Sequence, residues 1–204
     1  VSEISDSVGV GSNSFFRHVQ NSYQIYDDAC VTKGNHSVRF GFAFEKIEYN
    51  ELGLRRPNGR VTFTSLANFL QDKPAAFFSL DPSRTREVGV RSSIYAGYLN
   101  DSWRYSSKLN LNLGLRYEMS TNPSEAHNQF LAVLTPGGPL VNVKNLFNSN
   151  PTTRNFEPRL GCAYDVFGNG KTALRGGFSI YDALPLPWIF APKEAQGTPF
   201  NTGT

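Results

Sequence analysis

Methionine occurs once, cysteine twice and histidine three times in these 204 residues. That leaves little from which to build a thiol or imidazole metal centre or a disulfide framework. His18, His36 and His127 are neither four apart, as on a metal-binding helix, nor close to a cysteine pair, so no metal site is expected. No run of eighteen apolar residues occurs, which excludes a transmembrane helix, and the first thirty residues lack the basic start and apolar centre of a signal peptide. Charge is sparse at 18%. Twenty Lys plus Arg against seventeen Asp plus Glu give +3, with no block of one sign, so a nucleic-acid surface is not expected. Motifs for chemistry are also missing. Gly168-Asn-Gly-Lys-Thr172 ends like a phosphate loop, but Asp165 stands where that loop needs Gly, and a strand pattern follows where it needs a helix. Gly9 and Gly11 do not extend to a dinucleotide fingerprint, because Ser occupies position 14. Ser179 follows Gly177 but meets Tyr at 181, so no nucleophile elbow forms. No enzyme activity and no cofactor are expected. The chain opens on Val1 and ends on Thr204 with no closing element, and it reads as an excerpt.

What is present is the palette of strands and turns: 16 Phe, 9 Tyr, 18 Gly and 12 Pro. Val38, Phe40, Phe42 and Phe44 alternate with Ser37, Arg39, Gly41, Ala43 and Glu45, a period of two. Leu109, Leu111, Leu113, Leu115, Tyr117 and Met119 alternate with Asn110, Asn112, Gly114, Arg116 and Glu118 in the same way. A third copy runs from Lys171 to Tyr181. Each is preceded by a tight turn, at Lys33–His36, Tyr105–Lys108 and Phe167–Gly170, and by another alternating run. The pattern predicts three hairpins, at about 21–47, 94–119 and 156–181, separated by long loops at 48–92, 120–155 and 182–204. Asp28 to Gly41 and Asp101 to Gly114 share a spacing of thirteen, which reads as one hairpin geometry reused. Inside the first long loop, Arg60–Thr64 reads as a short strand and Ser65–Asp72 as a helical turn capped by Ser65.

Strands of about eleven residues, short turns at one end and long loops at the other are the features of a transmembrane β-barrel. The fold class expected is all-β, an antiparallel up-and-down meander forming part of a large transmembrane barrel. Six strands are too few to close one. Phe40, Phe42, Leu111, Leu113, Leu174 and Phe178 would lead the lipid-facing rows, with Tyr95, Trp103, Tyr117 and Tyr164 as interfacial girdles. Parity places Cys30 on the lumen face and Cys162 on the lipid face, so two free thiols are expected. The alternative is a soluble β-sandwich adhesion or carbohydrate-binding module, in which the same apolar parity lines a closed core.

Three strings, YQIYDDACVTKGNHSVRFGF, YAGYLNDSWRYSSKLNLNLGLRYE and NFEPRLGCAYDVFGNGKTALRGGFSIYD, resemble segments of TonB-dependent outer-membrane receptors, in particular the Oar-like branch, over residues 21–182. The resemblance implies a twenty-two-stranded barrel, an N-terminal plug, and ligand uptake at the cell surface energised through the TonB complex. No plug domain is found in residues 1–204, which reads as one partial barrel domain. Arg39, Glu45, Arg116, Glu118, Arg159, Asp165 and Arg175 are the candidate lumen-lining residues, facing the plug or an anionic ligand, or forming a ladder of solvated cross-strand pairs. Arg55, Arg56, Phe147, Trp188 and Phe190 are the candidate loop contacts to an unidentified ligand, offering charge and stacking.

Overall fold

The computed structural model describes residues 14–55, 57–78, 80–195 and 199–203. In chain order the elements are β1 (Ser14–Lys33), β2 (His36–Arg55), β3 (Arg60–Thr62), α1 (Leu66–Leu70), β4 (Ala76–Phe78), β5 (Leu80–Thr85), β6 (Val88–Arg104) and β7 (Leu109–Ser120). Then follow β8 (Ser124–Glu125), β9 (Leu131–Val133), β10 (Leu140–Asn142), β11 (Phe156–Asp165), β12 (Ala173–Ser179), α2 (Pro187–Ala195) and β13 (Asn201–Gly203). The six long strands make one open antiparallel meander, β1-β2-β6-β7-β11-β12, with β8 beside β6. The other strands form two-stranded pairs, β3 with β4, β5 with β13 and β9 with β10. A soluble sandwich needs a second large sheet to cover the apolar face. Among the described residues no sheet of that size exists, and Phe40, Phe42, Leu115, Leu160, Leu174 and Phe178 stand exposed.

The turns all lie at one end of the sheet and follow from local chemistry. Gly34 takes a φ of +60° between Lys33 and His36, which are directly paired. A positive φ is cheap only for glycine. The third turn uses Gly168 and Gly170 at φ +71° and +73°, held by Asp165, whose carboxylate accepts from both of their N–H groups at 2.9 and 2.8 Å. The shared spacing of thirteen does not carry one geometry. Asp28 faces Gly41, but Asp101 faces Leu113 and it is Asn100 that faces Gly114. The second turn is longer than the first, and the extra residues shift the register. In the first long connection Ser65 caps α1 by accepting from the Asn68 N–H at 3.1 Å.

The connection expected over 48–92 is strand at both ends, since β2 continues to Arg55 and β6 begins at Val88. β1 likewise begins at Ser14. The physical reason is an inversion of the alternation. Up to Phe44 the even positions of β2 are apolar and the odd ones polar; from Lys46 the even positions are Lys46, Glu48 and Asn50, and the odd ones are the buried Ile47 and Tyr49. On β6 the same switch occurs at matching height. Val88, Val90 and Ile94 are buried, whereas further down the same face carries Tyr98, Asn100 and Ser102. A search at fixed phase ends each strand where the phase flips.

The sheet therefore has two zones. In the turn half, one face is apolar, with rows such as Phe40, Leu99 and Leu115 or Val38, Asp101, Leu113 and Leu160, and the opposite face is polar and open. In the far half, the face continuous with the polar one is sealed by the long connections. Ile47, Tyr49, Val88, Val90 and Ile94 pack there with Phe130, Ala191, Ala195 and Phe200. α2 reaches the sheet at Gly53, where a Cβ would stand 2.9 Å from that of Ala195. Glu125 ties the 120–155 connection down: 3% exposed, it accepts from the Gly89 N–H at 3.2 Å and from those of His127 and Gln129 at 2.7 and 2.9 Å. These bonds satisfy a buried charge that would otherwise be costly.

Candidate ligand-facing surface of the sheet

The polar face of the turn half is built by register. Arg39 faces Asn100, Asn100 faces Gly114 and Gly114 faces Arg159, so one cross-strand row on β2, β6, β7 and β11 carries two arginines around an asparagine and a glycine. Arg116 joins from the neighbouring row, opposite Tyr98. Arg39, Tyr98, Asn100, Arg116 and Arg159 together line a cleft of about 260 Å³. A second hollow of about 480 Å³ shares Arg39, Asn100 and Arg159 and adds Ser37, Asn112, Ser179 and Tyr181. Gly114 makes room for Asn100, because a Cβ there would lie 2.1 Å from its Oδ1. Tyr98 lies across Gly41 and its hydroxyl donates to Asp28 at 2.7 Å.

The three guanidinium groups differ in their engagement. Arg116 donates to Glu118 through Nε at 2.9 Å and its terminal nitrogen at 2.8 Å. Arg159 donates to Glu157 at 3.0 Å and stands over the Tyr181 ring at 4.8 Å, and its buried Nε has no hydrogen-bond partner among the described residues. Arg39 is exposed and has no side-chain partner among the described residues. Such a set can receive a planar carboxylate or a phosphate through paired N–H donors.

Of the remaining lumen candidates, Glu118 belongs to this group through Arg116. Glu45 sits on the same face further from the turns and accepts from Ser22 at 2.6 Å and Gln24 at 3.1 Å. Asp165 is spent on the third turn, and Arg175 lies opposite Ala163 near that end, so neither joins the cleft. Among the loop candidates, Phe147 and Phe190 meet edge to face at 6.3 Å, and Trp188 on α2 is 59% exposed. Arg55 closes β2 opposite Ser14, and Arg56 lies outside the described residues. Sequence reasoning sets Asn100 on the polar parity but names neither it nor Tyr98 nor Tyr181 as a member of this surface. The cross-strand register sets Tyr98 beside Gly41 and Asn100 beside Gly114.

The sealed far half has its own electrostatics. Glu51, 1% exposed, accepts from the Tyr49 hydroxyl at 2.7 Å through one oxygen, and its other oxygen has no partner among the described residues. Burial, reinforced by that hydrogen bond, holds the Tyr49 hydroxyl above the usual phenol range. Burial likewise raises the carboxyl of Glu194 on α2. Cys30 and Cys162 are free and exposed. Cys30 pairs with Arg39 on the polar face and Cys162 with Leu111 on the apolar one.

An open sheet with one bare apolar face, a polar opposite face and a loop-sealed end is the wall of a membrane barrel, and the family comparison agrees: the model of the outer membrane beta barrel domain matches residues 1–204. The chain belongs to that family. It is therefore a bacterial outer-membrane barrel domain. Among solved structures it is similar to the FpvAI–pyocin S2 complex, with a TM-score of 0.45 and 15% identity over 81% of this chain and 19% of that one. It is also similar to P. aeruginosa FpvA bound to heterologous pyoverdines with iron, with a TM-score of 0.43 and 14% identity over 80% of this chain and 19% of that one. The chain thus spans about a fifth of the length of the solved structures it matches. No curated protein matches it.

Proposed function

We propose that this domain is a wall segment of a TonB-dependent outer-membrane receptor that binds a ligand at the cell surface, passes it inward by energised uptake and catalyses no reaction. The observation that carries this reading is the inversion of alternation at Lys46 and Ser93. Below it the apolar parity points to lipid and the polar parity to a watery lumen. Above it the outside meets water and the inside is sealed by loops, so the polarity of each face reverses. The aromatic rows support the same frame. Trp103 and Tyr95 stand eight residues apart on β6, about 26 Å of strand at roughly 3.3 Å per residue. At the roughly 35–45° tilt of barrel strands this is a height of about 20 Å, which sets the two rings near the edges of a lipid-facing band about 25 Å tall. The three resembling strings extend the reading to the TonB-dependent class, with a plug and the TonB complex as partners of the parent protein and the arginine cleft facing the plug or an anionic ligand.

Surface labelling tests the topology. In the full-length protein, with Cys30 and Cys162 replaced by Ser, Trp188→Cys is expected to react with an impermeant maleimide on intact cells and Asn169→Cys only after permeabilisation. The reverse pattern refutes the orientation. Energised uptake is tested separately with a panel of iron-labelled siderophores in cells with and without functional TonB. Uptake that does not change on loss of TonB refutes that part of the reading.

A further inference from the structure

The three turns form a continuous rim at one end of the sheet. The Arg104 N–H donates to the Asn35 carbonyl at 2.8 Å, joining the first turn to the second, and the Asp165 N–H donates to the Lys108 carbonyl at 2.8 Å, joining the second to the third. Each turn carries one lysine, namely Lys33, Lys108 and Lys171, all exposed. No ammonium group of the three has a carboxylate partner among the described residues. The rim carboxylates are engaged elsewhere. Asp101 pairs with His36 at 2.6 Å, and Asp165 holds the N–H groups of the third turn. Lys108 is laid across Gly168, its Cε 2.7 Å from where a Cβ would stand.

Just inside the rim, on the apolar face, is an aromatic belt. His36 stacks on Trp103 at 5.1 Å, Trp103 meets Tyr105 edge to face at 5.0 Å, and Tyr164 lies exposed on β11. Rings of this kind settle at the headgroup level of a bilayer, and cations placed beyond them meet the phosphates. Resting on the barrel reading above, we propose that this rim is a docking surface for the phosphodiester headgroups of anionic phospholipid, gripped by Lys33, Lys108 and Lys171 with the Trp103–Tyr105 belt seated against the glycerol region. Charge complementarity selects the occupant. Three unpaired ammonium groups at a membrane edge favour an anionic headgroup over a zwitterionic one, whose own cation they repel.

The test reconstitutes the full-length protein in phosphatidylcholine bilayers doped with spin-labelled phosphatidylglycerol or spin-labelled phosphatidylcholine, and compares the fraction of each label immobilised at the protein. The wild type is expected to prefer phosphatidylglycerol. A Lys33→Gln, Lys108→Gln, Lys171→Gln variant is expected to lose that preference by about fivefold or more, and high salt to erode it. The corresponding Lys→Arg variant should retain it. Equal immobilisation of the two lipids by the wild type, or an unchanged preference in the Gln variant, overturns the proposal. Preference for labelled lipopolysaccharide with none for phosphatidylglycerol also overturns it, by assigning the turns to the opposite leaflet. Failure of the wild type to enter bilayers, seen as no heat-modifiable migration on a gel, refutes the barrel reading and this inference together. Insertion without lipid preference refutes the inference alone.

Discussion

The two halves of the sheet use the same strands to solve opposite problems. In the turn half, the bare face is apolar, and the polar groups, arginines with their carboxylates and Asn100, stand open on the other side. In the far half, that second face is a packed core of Ile47, Val88, Val90, Phe130 and Ala191, and the first face carries the Lys46–Glu48 pair at 2.9 Å. The lesson is that solvent, not the strand, decides which parity is apolar. Where lipid lies outside, the outward residues are hydrophobic; where water lies outside and loops fold within, the inward ones are. Charged residues on the apolar face fall at its borders. Asp101 lies next to the Trp103 row with His36 as partner, and Asp27 lies in the row of Phe42 and Tyr117 beside the other belt.

This contrast can be broken at both ends. The largest effect is expected from Phe130→Ala, which removes a 2% exposed ring from the loop-sealed core and should cost about 3 to 5 kcal/mol of local stability. Hydrogen exchange should show β6 amides near Val88 losing protection while those around Leu99 keep theirs; equal loss in both would mean the halves are one cooperative unit. Next, Leu115→Lys, in the row midway between the Trp103 and Tyr95 belts, should cost about 2 to 4 kcal/mol in lipid, against little for Asn112→Lys on the opposite face. Urea titration of folding into vesicles measures both, and equal costs would abolish the face assignment. Gly53→Val should overpack the contact with Ala195 and cost about 1 to 3 kcal/mol, releasing α2 to proteolysis without changing the turn half. The smallest effect is a pH dependence. Burial raises the Glu194 carboxyl above its ordinary 4.5. The docked helix therefore has its full stability below that value and loses some as pH rises through the folded-state pKa. α2 protection should fall slightly from mildly acidic to neutral pH, and Glu194→Gln should remove the slope; an unchanged slope would place the titration elsewhere.

Much of the turn half was legible in the chain. Leu109 to Met119 alternates without a break because one face meets lipid and the other water, and the glycines of the first and third turns mark where the positive φ values fall. Ser65 capping α1 was equally readable, since that bond spans three residues. The far half was obscured by its own physics. Tyr49, Glu51 and Val88 sit in segments whose phase is inverted, so they read as loop until the covering residues, Phe130 and Ala191, are known to lie on them.

The sequence by itself determined the strand period, the three hairpins, the opposite faces of Cys30 and Cys162 and the arginines available to the polar face, because each depends on parity and on neighbours within a turn. Only the tertiary structure decided that Arg39, Arg116 and Arg159 share one cleft while Asp165 and Arg175 do not, that equal spacings of thirteen give unequal registers, and that the far half is a core. Those outcomes depend on turn length propagating along paired strands and on contacts between residues as distant as Gly53 and Ala195, which no local pattern encodes.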